Sequence, residues 1–597
     1  MKIKTIAKII AICTAVGGCR AETEMSSSVI SADINSTVGD AVVTLEEEES
    51  FSNECVVELG NTVSINGKGA WLDDNCIKIS QSGVYTISGK LSDGMIFVET
   101  ADKVKLILNN VEIENSDGPA IISNSEKLII KSAENSNNSL KDSKDYSYSR
   151  DFEDELKHKS AVYSEGDLIV AGGGSLSIKA RYGDAMTSGG TLSMKKGSLT
   201  IDAEDNGVIG ADGITATNLE LNITSENDCI KTGSDAGTSI SVNNSRLSLV
   251  SEKNDGIQAE GLVFINGGEL DILTSGDIES DTELSSKGIK GAEIKLTDAD
   301  INISSTDHAV KSDGTIDLSG GKLEISSTMG KGVTADGALT VNDTEIAVTD
   351  AEEGLESKNV LTINSGNINI RSRDDGINTG GDEGDHSLNI TGGYVYVNAD
   401  GDGIDSNGNI NIYGGTVVVF GSSDSENTAL DCGDEGNFIN IAGGKVIAFG
   451  SFGMMKAPRQ GYLFSMEERF AAGGEVVVTD AQNNEIISAT VPKSAQSVLF
   501  SDGTSAEGYK ILSDGKELAL TDIMNRGNGF SGRGEMPAFP ENGQMPPSGE
   551  APAFPENGQM PPSGEVPAFP ENGQMPPLGE PPAFPENGQN PPQLPES

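Results

Sequence analysis

The chain has 597 residues, 73 of them glycine, with 5% aromatic side chains. That composition excludes one conventional large globular core and suits short stacked strands joined by many turns. Its 92 acidic and 41 basic residues leave a formal net charge of −51, which excludes nucleic acid as a partner and favours cations.

The N-terminus, MKIKTIAKIIAICTAVGGCR, places lysines before an apolar stretch that ends in Val16-Gly17-Gly18-Cys19. Residues 1–19 read as an export signal ending in a lipobox-like sequence, so lipid attachment at Cys19 and an extracellular, membrane-anchored location are expected. Residues 20–54, rich in Ser, Glu and Asp, read as a flexible tether. No other run is long and apolar enough to cross a membrane. Removing Cys13 and the lipidated Cys19 leaves four cysteines, of which Cys55 and Cys76 are close enough in sequence to pair. With three histidines and no CxxC spacing, zinc held by imidazole or thiolate is not expected.

From residue 55 to 450 the chain restates itself. A small residue, an apolar marker, any residue and a second small residue recur with the marker at Val162, Met186, Val208, Ile230, Ile257, Ile289, Val310, Val333, Leu355, Ile377, Ile404 and Leu430. The spacing runs from 21 to 32 residues, and two more alternating strand-like pieces follow each marker, as in Val263-Phe264-Ile265 and Leu270-Asp271-Ile272. Three short strands and three turns per restatement describe one coil of a right-handed parallel β-helix. No helical period interrupts the series, which excludes βαβ units, and the fixed asparagine ladder of a leucine-rich repeat is missing. Marker and second small residue should point inward. The residue between them should point out, giving the column Tyr163, Thr187, Ile209, Lys231, Gln258, Lys290, Lys311, Thr334, Glu356, Asn378, Asp405 and Asp431.

GVYTISGKLSDGMIFVET and KVKLILNNVEI should begin the stack, and Ser136–Lys159 reads as an exposed polar loop. Residues 451–525, with GEVVVTD and SVLFSDG, are predicted to form a small β cap over the open helix end. In the Pro/Gly-rich tail, 526–597, four copies of a 15-residue unit beginning GEMPAFPENGQMPPS are expected to be disordered and PPII-like.

The turn before the marker carries Asp184, Asp205, Asp228, Asp255, Asp307, Glu353, Asp375 and Asp402. Two unit charges 5 Å apart repel by about 0.8 kcal/mol in water and several-fold more near a protein surface. A column of carboxylates at coil spacing therefore calls for cations, and Ca2+, with six to eight oxygen ligands, fits. The densest set spans AEEGLESK, SRDDGINTG and ADGDGIDSNG, which makes Glu353, Glu356, Asp374, Asp375, Asn378, Asp402 and Asp405 the candidate metal ligands. Aspartate also simply favours turns, which is the ordinary explanation for each acid taken singly. Lys290 and Lys311 fall in one outward column and could contact an acidic sugar or act as a lyase base, or merely offset neighbouring acids. Tyr394, Tyr396 and Tyr413, with Phe420 and Phe449 nearby, offer ring faces for sugar stacking unless the cap covers them. No nucleophile motif or phosphate-cradling loop stands out, so no catalytic residue is assigned.

The phrases SGVYTISGKLSDGMIFVE, VKLILNNVEI, EGLESK, DDGIN and GDGIDSNG together resemble bacterial cell-surface carbohydrate-binding domain-containing proteins, over about residues 56–520. The resemblance implies a pectate-lyase-like β-helix, calcium at Glu353, Asp374, Asp375, Asp402 and Asp405, and a plant cell-wall polysaccharide, cellulose or acidic, as partner. The expectation is an extracellular monomer that binds polysaccharide without cleaving it. The alternatives are a calcium-dependent pectate-type lyase and a surface adhesin or spacer.

Overall fold

A computed structural model describes residues 50–522 except 147–158, 281–283, 382–383, 424–425, 434–435, 452–455, 457, 460–461, 505–507 and 519–520. Among these there are strands, turns and bends but no helix. The export signal with Cys19, most of the tether and the proline-rich repeats lie outside the described residues.

The architecture is a parallel β-helix of about 14 turns. The markers form one fifteen-stranded sheet, and the other strands of the coils form a sheet of thirty-one. In the marker sheet Val162 stands beside Met186, Met186 beside Val208, and the series continues through Ile230, Ile257, Ile289, Val310, Val333, Leu355 and Ile377 to Ile404 without a slip. Leu430 joins Ile404 through an isolated bridge. The column reaches back through Ile121, Ile96 and Ile77. Register holds because a slip of one residue would turn every apolar side chain of the rung outward.

The residue before the marker is always small, and where it is glycine the reason is steric. A Cβ built at Gly376 would lie 2.1 Å from Val397 Cγ1 and 2.5 Å from Gly403 O, because the chain turns there against the inside of its own coil and the carbonyl of the next. The fully buried markers sit in one continuous core with the inward residues of the other faces, such as Ile303, Ile325 and Ile370. Each buried aliphatic side chain contributes about 1.5–3 kcal/mol relative to exposure.

Three expectations need correction. Ser136–Lys159 is not all loop: Asn137–Lys141 forms a strand in register with Ser175–Lys179. The polar sequence misleads because the inward Asn138 is buried yet satisfied, accepting from Val111 N–H at 3.0 Å and donating to Ser136 Oγ at 2.9 Å and Ser175 O at 3.0 Å. Tyr163, expected to face outward, is buried in a small cluster with Cys76, Met95, Phe97 and Ile122. Cys55 and Cys76 do not pair with each other, and these two, Cys229 and Cys432 are all buried thiols.

At the C-terminal end Lys445–Gly450 pairs antiparallel with Ala495–Ser501, which pairs antiparallel with Tyr462–Phe470. A separate antiparallel sheet holds Glu475–Thr479, Glu485–Thr490, Lys510–Ser513 and Lys516–Glu517. Its apolar face joins Val418, Phe420, Ile447 and Phe449 in a second core cluster, so cap and last rungs share one interior.

Ile377→Ala, which empties a marker site in mid-column, should cost about 2–5 kcal/mol in chemical denaturation. Gly376→Val should be at least as damaging although it adds apolar surface. A Gly376→Val protein with an unchanged denaturation midpoint would contradict the steric reading of the small residue.

Candidate metal centre

The corner before the marker is held together by its polar side chains. At the position two before the marker, the Asp, Asn and His side chains reach the main chain one rung on, whereas Glu353 and Thr428 at the same position do not. Asp184 Oδ1 accepts from Asn206 N–H at 3.2 Å, Asn206 Oδ1 from Asp228 N–H at 3.2 Å, Asp228 Oδ1 from Asp255 N–H at 2.9 Å and Asp255 Oδ1 from Lys287 N–H at 2.7 Å. Lys287 cannot accept, and there Asp307, its neighbour in the next coil, takes over: it receives His308 N–H at 2.8 Å and the Lys287 ammonium at 2.5 Å. His308 Nδ1 then accepts from Lys331 N–H at 2.9 Å. Burial, the largest influence, holds the His308 imidazole below its usual pKa, which suits a neutral ring with a free Nδ1 lone pair. Further along, Asp375 Oδ1 accepts from Asp402 N–H at 2.7 Å and Asp402 Oδ1 from Thr428 N–H.

One residue earlier runs a shorter amide column, in which Asn227 donates to Asp205 at 2.7 Å and Asn254 to Asn227 at 3.2 Å. The recurrent turn acid is thus first a main-chain acceptor, since a buried N–H left unpaired costs about 1–3 kcal/mol. A ladder is present after all, with Asp, Asn and His sharing its rungs.

In the N-terminal and middle coils the charges are met. Asp228 is buried against the Lys231 ammonium at 2.6 Å, Lys287 pairs with Asp307, and Lys311 pairs with Asp336 at 2.7 Å. Asp255 is fully buried, and burial first, then repulsion from Asp228, pushes its carboxyl up to about 6.

Toward the cap the balance changes. Carboxylate oxygens of Asp402, Asp405 and Asp431 lie within 4.8 Å of one another. Burial, together with mutual repulsion, pushes Asp375, Asp402 and Asp405 each up to about 7. Glu353 also lies above its usual range, chiefly from burial, and although Lys331 (3.1 Å) and Asn378 (3.3 Å) reach its Oε1, its buried Oε2 has no hydrogen-bond partner. Glu353 is among the charges that raise both Asp375 and Asp405.

The predicted ligands therefore divide. Asp402 and Asp405 come together, Asp375 and Glu353 act on them through their charge, and Asn378 stands between Glu356 and Asp405 in the outward column. Asp374 is exposed at the edge. Glu356 is engaged by the Lys331 ammonium at 2.6 Å and the Thr334 hydroxyl, and although burial alone would raise its pKa, these contacts bring it below the usual value. Asp431, read in the outward column but not as a ligand, completes the triad; its place directly after Asp405 in that column was the signal for it. The site closes at Lys456, whose ammonium donates to the carbonyls of Cys432 and Gly433 at 2.5 and 2.6 Å.

The remaining site residues lie apart. Lys290 and Lys311 are neighbours in register. Tyr394 and Tyr413 are 43% and 51% exposed. Tyr396 is partly buried against the second core cluster with its ring 5.6 Å from that of Phe420, and Phe420 and Phe449 are buried and stacked at 4.9 Å. The cap therefore takes part of the aromatic patch.

Residues 73–329 and 321–506 match the family described as carbohydrate-binding domain-containing protein. The chain belongs to this family. A curated family relative from Acetivibrio thermocellus (strain ATCC 27405) is 30% identical over 143 residues, which are 23% of this chain and 49% of the relative. The chain spans about half the length of that relative. A solved structure, described as the polysaccharide lyase-like protein from C. thermocellum in a gadolinium derivative, aligns at 20% identity and a TM-score of 0.31 over 50% of this chain and 96% of its own.

The ladder makes a sign-specific prediction. A carboxyl raised from about 4 when unfolded to about 6 when folded favours folding fully below pH 4, and that contribution is lost as pH rises to 6. Asp255→Asn keeps the acceptor for Lys287 N–H and removes the charge, so its stability should stay flat across that window relative to wild type. Asp255→Ala should lose about 1–3 kcal/mol at every pH, because it leaves the N–H unpaired. Equal losses for Asn and Ala in urea denaturation would refute the acceptor role.

Proposed function

We propose that this member of the family binds plant cell-wall polysaccharide outside the cell without cleaving it, anchored through lipid at Cys19 and carrying Ca2+ among the carboxylates of its last rungs. Family membership supports carbohydrate as the partner. The two exposed tyrosines, Tyr394 and Tyr413, supply ring faces of the kind on which sugars stack. For the metal, Asp402, Asp405 and Asp431 would be the first ligands, with Asp375 and Glu353 adding to the negative charge there. Bound there, Ca2+ would neutralise a cluster that otherwise takes up protons near neutrality.

The observation that favours binding over catalysis is a separation. A calcium-assisted lyase needs its metal and its base on the same sugar residue. From Lys311 the outward column passes Thr334, Glu356 and Asn378 before Asp405, four rungs on. At about 4.8 Å per rung that is about 19 Å, and Lys290 lies one rung farther still. Lys311 is moreover paired with Asp336. Lys290 and Lys311 can share a long chain with the acid cluster but cannot act on one ring with it, and Lys331, which does reach these acids, is tied between Glu353 and Glu356.

Two measurements test this reading. Carboxyls held at about 7 keep their protons in the fold below that pH, where they compete with a cation. Added Ca2+ should therefore raise the melting temperature clearly at pH 8 and hardly at pH 5, and Asp402→Ala with Asp405→Ala should remove the shift. A melting temperature indifferent to Ca2+ and chelator at pH 8 would count against the metal. Incubation with polygalacturonate and Ca2+ should yield no unsaturated-uronide absorbance, whereas the protein should be retained on an insoluble polysaccharide. Growth of that absorbance would replace binding with lysis.

A further inference from the structure

The two ends of the stack are finished differently. The C-terminal end is covered by the cap, whereas the N-terminal end carries two short strands, Ser64–Gly67 on one sheet and Ala70–Asp73 on the other. Among the described residues each pairs antiparallel with a single neighbour, Glu54–Leu59 for the first and Cys76–Ile79 for the second. Both therefore leave one side of the ladder open, and such a row of N–H and C=O groups is a template for another strand.

The core is open at the same place. Leu72 stands opposite Ile77, an inward residue of the marker column, so it lies on the interior side of the sheet. Yet Leu72 is 43% exposed where Ile77 is fully buried. Val63, Ile65 and Ala70 are likewise only partly buried against the core. On the outer side Trp71, the single tryptophan of the chain, is 40% exposed opposite Lys78. Edge strands that must stay unpaired carry proline or an inward charge, and Ala70–Asp73 has neither. Two large apolar side chains in succession mark this edge as one that is covered.

The strand is also complementary to itself. Lys68 lies three residues before Trp71 and Asp74 three after it, and both are exposed. Neither has an ion-pair partner among the described residues. Antiparallel pairing of two copies about a two-fold axis at Trp71 brings each Lys68 opposite the partner's Asp74. The same register sets Leu72 opposite the partner's Ala70 and makes the two Trp71 rings a cross-strand pair. A two-fold interface requires such opposite charges at equal distances from its centre, whereas pairing with an unrelated strand does not.

We propose that two copies of this chain associate end to end through Ala70–Asp73, continuing the marker sheet across a two-fold axis and covering the N-terminal core. The pair takes the place of the monomer expected from the sequence, and it rests on neither the polysaccharide reading nor the metal.

The test uses the full chain carrying Cys19→Ser, which keeps lipid out of the measurement. Sedimentation should show a reversible monomer–dimer equilibrium, and Trp71 emission should move to the blue over the same concentrations. Lys68→Glu and Asp74→Lys should each weaken association about tenfold, and the two together should restore it, because the exchanged charges again face each other. Leu72→Asp should weaken it at least about a hundredfold, with far-UV circular dichroism unchanged. A chain still monomeric at about 100 μM would overturn the proposal. Blue Trp71 emission that does not change with concentration in that monomer would assign the edge to a strand of the same chain instead. A dimer indifferent to Leu72→Asp would place the interface elsewhere. Weakening by both single reversals with no recovery in the double would overturn the two-fold register.

Discussion

Every rung is set on the one before it at a single strand spacing, so each side chain meets its own counterpart about 4.8 Å away. Inside, this repetition favours the fold: Ile303 on Ile325, and Ile377 on Leu355, pack like on like with no polar group to satisfy. Outside it is a constraint, because like charges are stacked as faithfully as like methyls. The acid corner answers it in three ways along its length. Asp228 and Asp255 spend one oxygen each on the next main-chain N–H. Lys287 and Lys331 interrupt the column with the opposite charge. Where neither device suffices, from Asp375 onward, the carboxyls are pushed toward neutrality.

The periodic half of the fold was legible in the sequence, because inward columns need an apolar residue and a small neighbour at every turn and neither requirement depends on the partner rung. The ladder was not. Asp and Asn are common in turns for local reasons, and nothing in NDGIQ tells whether Asp255 bonds within its own turn or to Lys287 in the next coil. The polar rung Asn137–Lys141 was hidden for a related reason: a buried asparagine reads as loop until its partners, Val111, Ser136 and Ser175, are brought around it. Contacts that join distant segments were beyond a periodic reading altogether, as with the cap against Tyr396 and the Tyr146–Tyr182 stack beside Arg181.

Charge along the outward marker column also changes in kind. Lys231, Lys290 and Lys311 occupy its middle, and Asp405 and Asp431 its end. A scaffold that advances one rung at a time can hold such groups only at multiples of the rung spacing. It can offer a long polymer several separate contacts, but it brings unlike groups onto one sugar only when adjoining rungs carry them. In this outward column the adjoining rungs at Lys290 and Lys311, and at Asp405 and Asp431, carry like groups, an arrangement suited to extended contact more than to a compact reaction centre.

The acid density peaks where the helix ends, and the end has a problem of its own. A last rung has no successor to receive its hydrogen bonds or cover its apolar face. The apolar part is met by the cap, whose Phe470 and Phe500 close over Phe420 and Phe449. The polar part is met on one face by the cap strand Ala495–Ser501 and elsewhere by cations from beyond the stack. Lys456 caps the carbonyls of Cys432 and Gly433, while Lys493, brought down to about 8 by burial, reaches Ala399 O and Asp400. A divalent ion at Asp402, Asp405 and Asp431 would belong to this series, as one more cation supplied from outside the repeat where the repeat stops. On that view a bound cation and the cap would stabilise the same rungs, and loosening either should loosen the other before the middle of the helix responds.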